Sequence, residues 1–253
     1  MLASAVDAGL PILTEVVAAP DPFLPEAARV VAVAVEIASR VRDSIAADAF
    51  PIVLAGDCNS CLGTVAGCDP AGLGVVWLDA HADVDVPDDS LTGSLDAMGL
   101  AMLTGRGWRA LREAHLWHAP VDEQRVLLIG ARNVEPRQRA RLEGSRIRTL
   151  AAEEVSAGEL GPSLDALVTA GRRVYLHVDL DALDPSEGIA NRYAAPEGLT
   201  CDELLAAIDD VFDRCAVAAA ALTAYEPEAD VDRRMAATAK RVLEALIGRA
   251  TRR

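Results

Sequence analysis

Two clusters of acidic residues and histidine follow apolar runs of the sequence, and their residue types suit metal binding. The apolar runs are residues 75–78 and 174–178. The polar residues are Asp79, His81 and Asp83 after the first run, and Asp179 and Asp181 after the second. Two carboxylates close together behind an apolar strand are costly to bury without a cation. Either cluster alone is also typical of an exposed acidic turn. Two in one chain predict a shared site for Mn²⁺ or a similar divalent ion.

The elements that must position these clusters alternate along the chain. Short apolar runs predict strands at residues 51–55, 74–78, 126–130, 147–150, 173–178 and 216–225. Longer amphipathic segments predict helices at residues 25–48, 95–103, 136–142, 163–170 and 232–247, and a further helix from Thr200. Thr200 and Glu203 form a capping-box pattern at that helix start. We predict an α/β protein with three layers, α-β-α, around a central, mostly parallel sheet, as one domain over residues 1–253.

Composition excludes some classes of partner. The net charge is −15, from 39 acidic and 24 basic residues. Nucleic acid is not an expected partner, because neutralising phosphates requires a basic face. Anionic membrane surfaces are excluded for the same reason, and no apolar run is long enough to span a bilayer. Aromatic residues make up only 4% of the chain, which predicts an aliphatic core.

The cysteines and the first residues bear on the compartment. The chain has five cysteines, an odd number without the spacing of a disulfide framework. Residues 1–20 carry no basic segment of the kind that begins a secretory signal. We therefore expect a cytoplasmic protein.

A third segment makes the pattern specific. The sequence VLAGDCNS at residues 53–60 precedes DAHAD at 79–83 and HVDLDALDP at 177–185. In order and spacing these segments resemble the metal signatures of the arginase/agmatinase/formiminoglutamase (ureohydrolase) family. Gly130–Asn133 and Gly198–Thr200 are weaker matches. The resemblance covers nearly the whole chain from residue 25. It implies an arginase-like fold and a hydrolase of C–N bonds in a small-molecule guanidine or amidine.

The resemblance also implies roles for residues. Two Mn²⁺ ions would share bridging carboxylates, and a hydroxide between the ions would attack the guanidinium carbon. The implied ligands are the bridging Asp79 and Asp179, with Cys58 and Asp83 on one ion and His81 and Asp181 on the other. Asp181 is also expected to take part in catalysis. Family members commonly assemble as trimers or hexamers, so a homo-oligomer is expected.

Cys58 is the first departure from the family pattern, which has a histidine ligand there. A thiolate is softer than imidazole and favours Zn²⁺, Fe²⁺ or Co²⁺ over Mn²⁺. Three outcomes stay open: a mixed site with altered metal preference, one ion on the His81 side, or no ion. A minority branch that resembles N-hydroxyarginine hydrolases also carries cysteine here. Cys58 and Cys61 also form a C-x-x-C motif, but nothing else in the chain supports a redox function.

Two further departures concern proton transfer and guanidinium binding. Asp96 stands where the family has a proton-shuttling histidine, and is either a general acid or base or simply a carboxylate on a helix face. Ala224 stands where the family has a guanidinium-binding glutamate, and Glu226 is the nearest substitute. These changes motivate a competing hypothesis, a non-catalytic family member that retains the fold.

Two acidic positions bear on the tail of the substrate. Asp85 stands where arginases hold the α-carboxylate with asparagine, and Glu135 matches an acidic residue that meets the substrate amino group. Together they favour an amine-tailed substrate, nearer to agmatine than to arginine. If Asp85 turns away from the site, hydrolysis of an N-hydroxyguanidine gains support relative to the amine-tailed substrate.

Overall fold

A six-stranded sheet forms the centre of the protein, in a computed structural model that describes residues 12–18, 20–117, 119–170 and 173–252. The strands are β1 (Ile52–Leu54), β2 (Gly74–Leu78), β3 (Val126–Ile129), β4 (Arg148–Leu150), β5 (Arg173–Asp179) and β6 (Ala216–Thr223). Their order is β1-β6-β5-β2-β3-β4, and every neighbouring pair is parallel. Residues 1–11, which bear on the expectation about a secretory signal, lie outside the described residues.

Helices connect the strands, as parallel pairing requires. They are α1 (Glu26–Ala46), α2 (Ser60–Gly67), α3 (Gly99–Leu103), α4 (Arg109–His115), α5 (Pro136–Glu143), α6 (Ala152–Ser156), α7 (Leu160–Ala170), α8 (Cys201–Arg214) and α9 (Arg234–Ala250). At the start of α8 the Thr200 hydroxyl accepts from the Glu203 amide, and the Glu203 carboxylate accepts from the Thr200 amide. The capping box predicted from the sequence is confirmed.

Two apolar cores lie on opposite faces of the sheet. One joins the strands to α7, α8 and α9 through residues such as Leu164, Ile208 and Val242. The other joins them to α1 and α2 through residues such as Ile37 and Leu62. Successive strand residues enter the two cores in turn, as the two-residue period of a strand requires. The predicted three-layer α-β-α architecture is confirmed, and the sheet is parallel throughout the described residues.

Helices α1 and α2 pack with almost no space between their backbones. A Cβ atom added at Gly63 would lie 2.5 Å from the Ala34 carbonyl oxygen and 2.6 Å from the Cβ of Ile37. One at Gly67 would lie 2.6 Å from the Cβ of Val41. Glycine is needed at both positions because any side chain would separate the helices. The turn that precedes α2 carries Cys58, so this packing also sets the position of that thiol.

The topology brings the carboxyl ends of four strands together. Because the strands are parallel, β1, β6, β5 and β2 all end at one edge of the sheet, where ligands bind in folds of this type. Leu78 of β2 is paired with Val178 of β5, and Asp179 of β5 with Thr223 of β6. The next residue after β2 is Asp79. The two predicted acidic clusters therefore follow neighbouring strands.

Among the described residues, the helices are too short or too polar to cross a membrane.

Candidate metal centre

Four side chains converge at the ends of β2 and β5 and at the turn after β1, and we call them the first cluster. They are Cys58, Asp79, His177 and Asp179, and they offer ligand atoms that all lie within 4.8 Å of one another. The Sγ of Cys58 is 2.9 Å from Oδ2 of Asp179, 3.2 Å from Nε2 of His177 and 4.0 Å from Oδ2 of Asp79. All four residues are buried. The cluster thus combines sulfur, nitrogen and oxygen donors away from solvent.

Three side chains form a second cluster that shares one residue with the first. They are Asp79, His81 and Asp181. Nδ1 of His81 lies 3.3 Å from Oδ1 of Asp79 and 3.3 Å from Oδ2 of Asp181. The other ring nitrogen, Nε2, lies 3.2 Å from Nδ2 of Asn133. The imidazole is therefore held with Nδ1 towards the carboxylates.

Asp79 connects the two clusters through its two oxygens. Oδ1 faces His81, while Oδ2 faces Cys58 and accepts a hydrogen bond of 2.9 Å from the indole Nε1 of Trp77. Asp79 is only 1% exposed. A carboxylate that turns one oxygen to each cluster has the geometry of a bridging ligand.

The charges of this region call for a cation. Burial, followed by the charge of Asp181, raises the pKa of Asp79 to about 6. Burial, with Asp181 and Asp79, also raises the pKa of Asp179 well above its usual range. Burial lowers the pKa of His81, but its hydrogen bonds to Asp181 and Asp79 outweigh that effect and raise it to about 11. Buried carboxylates that repel one another in this way are stabilised by a divalent ion, so the donor set fits metal binding.

Cys58 and His177 differ in how burial affects them. Burial raises the pKa of the Cys58 thiol well above its usual range, and the nearby carboxylates of Asp179 and Asp83 add to the effect. Burial lowers the pKa of His177 to about 3, which keeps the imidazole neutral.

The C-x-x-C motif contains no disulfide, because Cys58 and Cys61 are both free thiols.

Asp83 lies next to the two clusters and belongs to neither. It is buried, with a φ of 50° that an aspartate rarely adopts. Burial, followed by the charges of Asp79 and Asp96, raises its pKa well above the usual range. Its role as a metal ligand stays a prediction.

Asp96 holds the turn that carries Cys58. Its Oδ1 accepts a hydrogen bond of 2.7 Å from the Cys58 amide. Burial, followed by the charge of Asp57, raises the pKa of Asp96 to about 7. Asp96 belongs to the 3₁₀ turn Asp96–Met98, which leads directly into α3, so the helix predicted for residues 95–103 forms with a 3₁₀ first turn. Asp96 also lines a cavity beside the clusters. Proton transfer by Asp96 stays a prediction.

The cavity has a volume of about 380 Å³, and Glu226 and Tyr193 are among the residues that line it. Glu226 forms an ion pair with the exposed Arg192 and also accepts from its amide at 3.1 Å. Ala224 adopts a φ of 62°, and its carbonyl accepts from Nδ2 of Asn191. Glu226 thus borders the cavity with its charge paired, and guanidinium binding by Glu226 stays a prediction.

Asp85 and Glu135 share an arginine. Asp85 is buried and accepts from Nε2 of Gln138 at 2.9 Å and from the Ser90 hydroxyl at 3.1 Å. Arg137 lies 3.5 Å from Asp85 and 2.7 Å from Glu135. Both carboxylates therefore have partners within the protein, and neither is among the residues around the cavity. Their roles in substrate binding stay predictions.

His177 is a member of the first cluster that the motifs named without giving it a function. Its ring is stacked on Trp77 with centroids 3.6 Å apart, and its Nδ1 lies 2.7 Å from the Tyr175 hydroxyl. Strand alternation places residues 175, 177 and 179 on one face, so the sequence contained the signal. Its position inside a strand, rather than after one, concealed it.

Arg132 was also missed as a residue that holds the site together. Its guanidinium donates to the carbonyls of Gly130, Asp181 and Leu183 and to those of Ala195 and Pro196. These carbonyls belong to separate loops around the second cluster. No sequence pattern indicates such a set of acceptors, because the loops meet only in the folded chain.

Comparison with known proteins points to one family. The family model described as Arginase family matches residues 13–248. The arginase of Bacillus subtilis is 28% identical over 220 residues, covering 85% of this chain and 74% of that relative. A crystal structure of arginase from Bacillus subtilis has a TM-score of 0.87 at 26% identity, covering 98% of this chain and 88% of the other.

A hypothetical agmatinase from Burkholderia thailandensis is similar in fold, with a TM-score of 0.67 at 20% identity over 90% of this chain and 68% of the other. The family match extends over far more than half of the sequence and agrees with the resemblance inferred from the three motifs. The chain therefore belongs to the arginase family of hydrolases.

Proposed function

We propose that the protein hydrolyses a C–N bond of a small guanidine, or of a related amidine, with a pair of divalent ions. The observation that carries the proposal is the pair of buried donor clusters joined by Asp79 at the carboxyl ends of the strands. The residues that would hold the ions are Cys58, Asp79, His81, Asp83, Asp179 and Asp181. Ions of this kind lower the pKa of a water molecule bound to them. They also stabilise the charge that develops on the atoms attached to the reacting carbon.

The protein's own groups would orient the reactants. Asp181 accepts from the Ala80 amide at 3.1 Å and from Nδ2 of Asn191 at 3.0 Å, so its carboxylate has a fixed direction. We assign Asp181 the task of orienting the attacking water. Asp96, on the wall of the cavity, would transfer a proton to the leaving amine. Glu226, which also lines the cavity, would pair with a cationic substrate in exchange for Arg192.

The hypothesis of an amine-tailed substrate has less support from the geometry than the sequence suggested. It relies on Asp85 and Glu135, whose carboxylates are engaged by Gln138 and Arg137. An N-hydroxyguanidine is less basic than a guanidinium and depends less on an acidic partner at Ala224. The engaged state of Asp85 therefore favours N-hydroxyguanidine hydrolysis as the second candidate.

The test is turnover by protein loaded with Mn²⁺, Zn²⁺ or Co²⁺, with arginine, agmatine and N-hydroxyarginine supplied in parallel. Release of urea or hydroxyurea is measured, and D181N serves as the inactive control. Urea from agmatine would support the amine-tailed substrate, and hydroxyurea from N-hydroxyarginine would support the second candidate. If metal-loaded protein hydrolyses none of them, the non-catalytic hypothesis replaces this proposal.

A homo-oligomer, as a trimer or hexamer, is part of the same proposal, as is a cytoplasmic location. Light scattering on the purified protein measures the oligomeric state directly.

A further inference from the structure

We propose that His177 binds a metal ion through Nε2, and that it completes a four-donor site with Cys58, Asp79 and Asp179. This site selects Zn²⁺ or Co²⁺, whereas the second cluster suits Mn²⁺, so the centre is built for two different metals. The inference rests on the proposed function in one respect only, which is that the ions bind at this centre. Its test is a metal-binding measurement that does not depend on turnover.

The distances in the first cluster agree with one ion at its centre. In a tetrahedral site with bonds of about 2.3 Å to sulfur and about 2.0 Å to nitrogen or oxygen, neighbouring donor atoms lie about 3.3–3.5 Å apart. The distances from Sγ of Cys58 to the nitrogen of His177 and to the oxygens of Asp179 and Asp79 are 3.2, 2.9 and 4.0 Å. Shifts of about half an ångström would bring all of them to the tetrahedral value.

The Cys58 thiol has one proton and more than one acceptor beside it. Besides the three atoms already given, the Thr223 hydroxyl lies 3.5 Å from Sγ. A thiol has one proton to donate, and the carboxylate oxygens of Asp79 and Asp179 are acceptors. A cation at the centre would satisfy the thiolate, the imidazole lone pair and both carboxylates together.

The imidazole of His177 is held in the orientation that a ligand requires. The side chain is fully buried, and its ring is stacked on Trp77. Nδ1 lies 2.7 Å from the Tyr175 hydroxyl, so Nδ1–H can donate to that oxygen while the Nε2 lone pair faces the cluster. Metal-binding histidines characteristically have the second ring nitrogen bonded in this way.

The two clusters differ in the metal that they suit. The first cluster contains a thiolate and an imidazole, which favour Zn²⁺ and Co²⁺. The second has two carboxylates and the imidazole of His81, a set that Mn²⁺ accepts. Asp83 is not needed to complete four donors in the first cluster and lies outside it. In this inference His177, rather than Asp83, is the fourth donor of the first cluster.

The first experiment is a Co²⁺ titration of the purified full-length protein, followed by optical absorption. Wild-type protein should give a thiolate-to-cobalt charge-transfer band, with intense visible bands typical of tetrahedral Co²⁺, and Zn²⁺ should displace them far more readily than Mn²⁺. C58S should abolish the charge-transfer band. C61S is the matched control, since Cys61 is buried nearby but lies outside the cluster, and should keep it. A band that survives in C58S would overturn the proposal.

The role of His177 is tested by two variants. H177F keeps an aromatic ring against Trp77 and removes both nitrogens, so it should lower Zn²⁺ affinity by more than 100-fold, while Mn²⁺ binding at the second cluster is retained. Y175F removes only the partner of Nδ1 and should lower Zn²⁺ affinity by about 10–100-fold. Unchanged Zn²⁺ affinity in either folded variant would overturn the proposal.

X-ray absorption of the wild-type zinc form tests the donor set even if H177F does not fold. One sulfur and one imidazole per zinc are expected, and a zinc shell without sulfur, or without imidazole, would overturn the proposal. This result is independent of turnover. A confirmed donor set without hydrolysis would refute the proposed function alone, and hydrolysis without this donor set would refute the inference alone.

Discussion

Replacing Gly63 by alanine tests how far the α1–α2 contact determines the position of Cys58. The added Cβ would lie 2.5 Å from the Ala34 carbonyl oxygen and 2.6 and 2.9 Å from two atoms of Ile37. Carbon atoms in contact prefer about 3.5–4.0 Å, so the helices must move apart by about 1 Å. The carbonyl belongs to the backbone of α1 and cannot turn aside as a flexible side chain would.

The expected energy is a difference of two terms. Overpacking of this kind costs about 1–3 kcal/mol. Alanine in place of glycine inside a helix regains about 0.5–1 kcal/mol. Taken at the middle of each range, the variant should therefore lose about 1 kcal/mol of unfolding free energy. For a chain of this length, that lowers Tm by about 2–4 °C.

Gly248 in α9 offers a matched control, because a Cβ there would meet nothing within 4 Å. The same change at Gly248 should leave Tm unchanged or raise it. Thermal unfolding followed by circular dichroism measures both variants, and Co²⁺ absorption reports whether the Cys58 thiolate still reaches the ion. A Tm for G63A equal to or above that of wild type would refute the packing argument.

Three further predictions concern the site. R132A should lower the unfolding free energy by at least ~2 kcal/mol, because buried carbonyls lose a charged donor. Denaturant unfolding measures this loss, and an unchanged unfolding midpoint would contradict the prediction. A divalent ion at 100 times its Kd should raise the unfolding free energy by about 2.7 kcal/mol; in D79N, which damages both clusters, the thermal shift should disappear, and a retained shift would place the ion elsewhere. D96N should lower kcat by about 100- to 10,000-fold if Asp96 transfers a proton. An unchanged kcat would refute proton transfer by Asp96 and leave only its hydrogen bond to the Cys58 amide.

The strands could be predicted from the sequence because they are short, and because the four inner strands, β6, β5, β2 and β3, are mostly apolar and buried. Residues 74–78 were predicted as a strand with the bounds that the structure gives to β2, and the other five strands agree within two residues at each end. Helix α2 was missed, because Ser60–Gly67 contains two glycines and has no amphipathic face. Its stability comes from packing against α1. The helix thus depends on a tertiary contact that local propensity does not describe.

The candidate site was predictable where ligands follow strands, and less so where they do not. Asp79, His81 and Asp181 come together in the second cluster as their motifs suggested. His177 has the same residue spacing from Asp179 as His81 has from Asp79, but it lies inside β5. Its contact with Cys58 joins residues 119 positions apart. Sequence alternation gives the face of a strand, whereas a contact of that range depends on the whole sheet order.

The position of Asp79 between the clusters links the occupancy of one site to that of the other. One oxygen of Asp79 is directed to each cluster, so an ion at either site would fix the direction in which the remaining oxygen points. Any change that the first ion causes in the affinity for the second is, by thermodynamic reciprocity, equal to the change that the second causes for the first. Two ions bound as proposed would therefore be mutual effectors, and the supply of one would set the concentration at which the other reaches half occupancy.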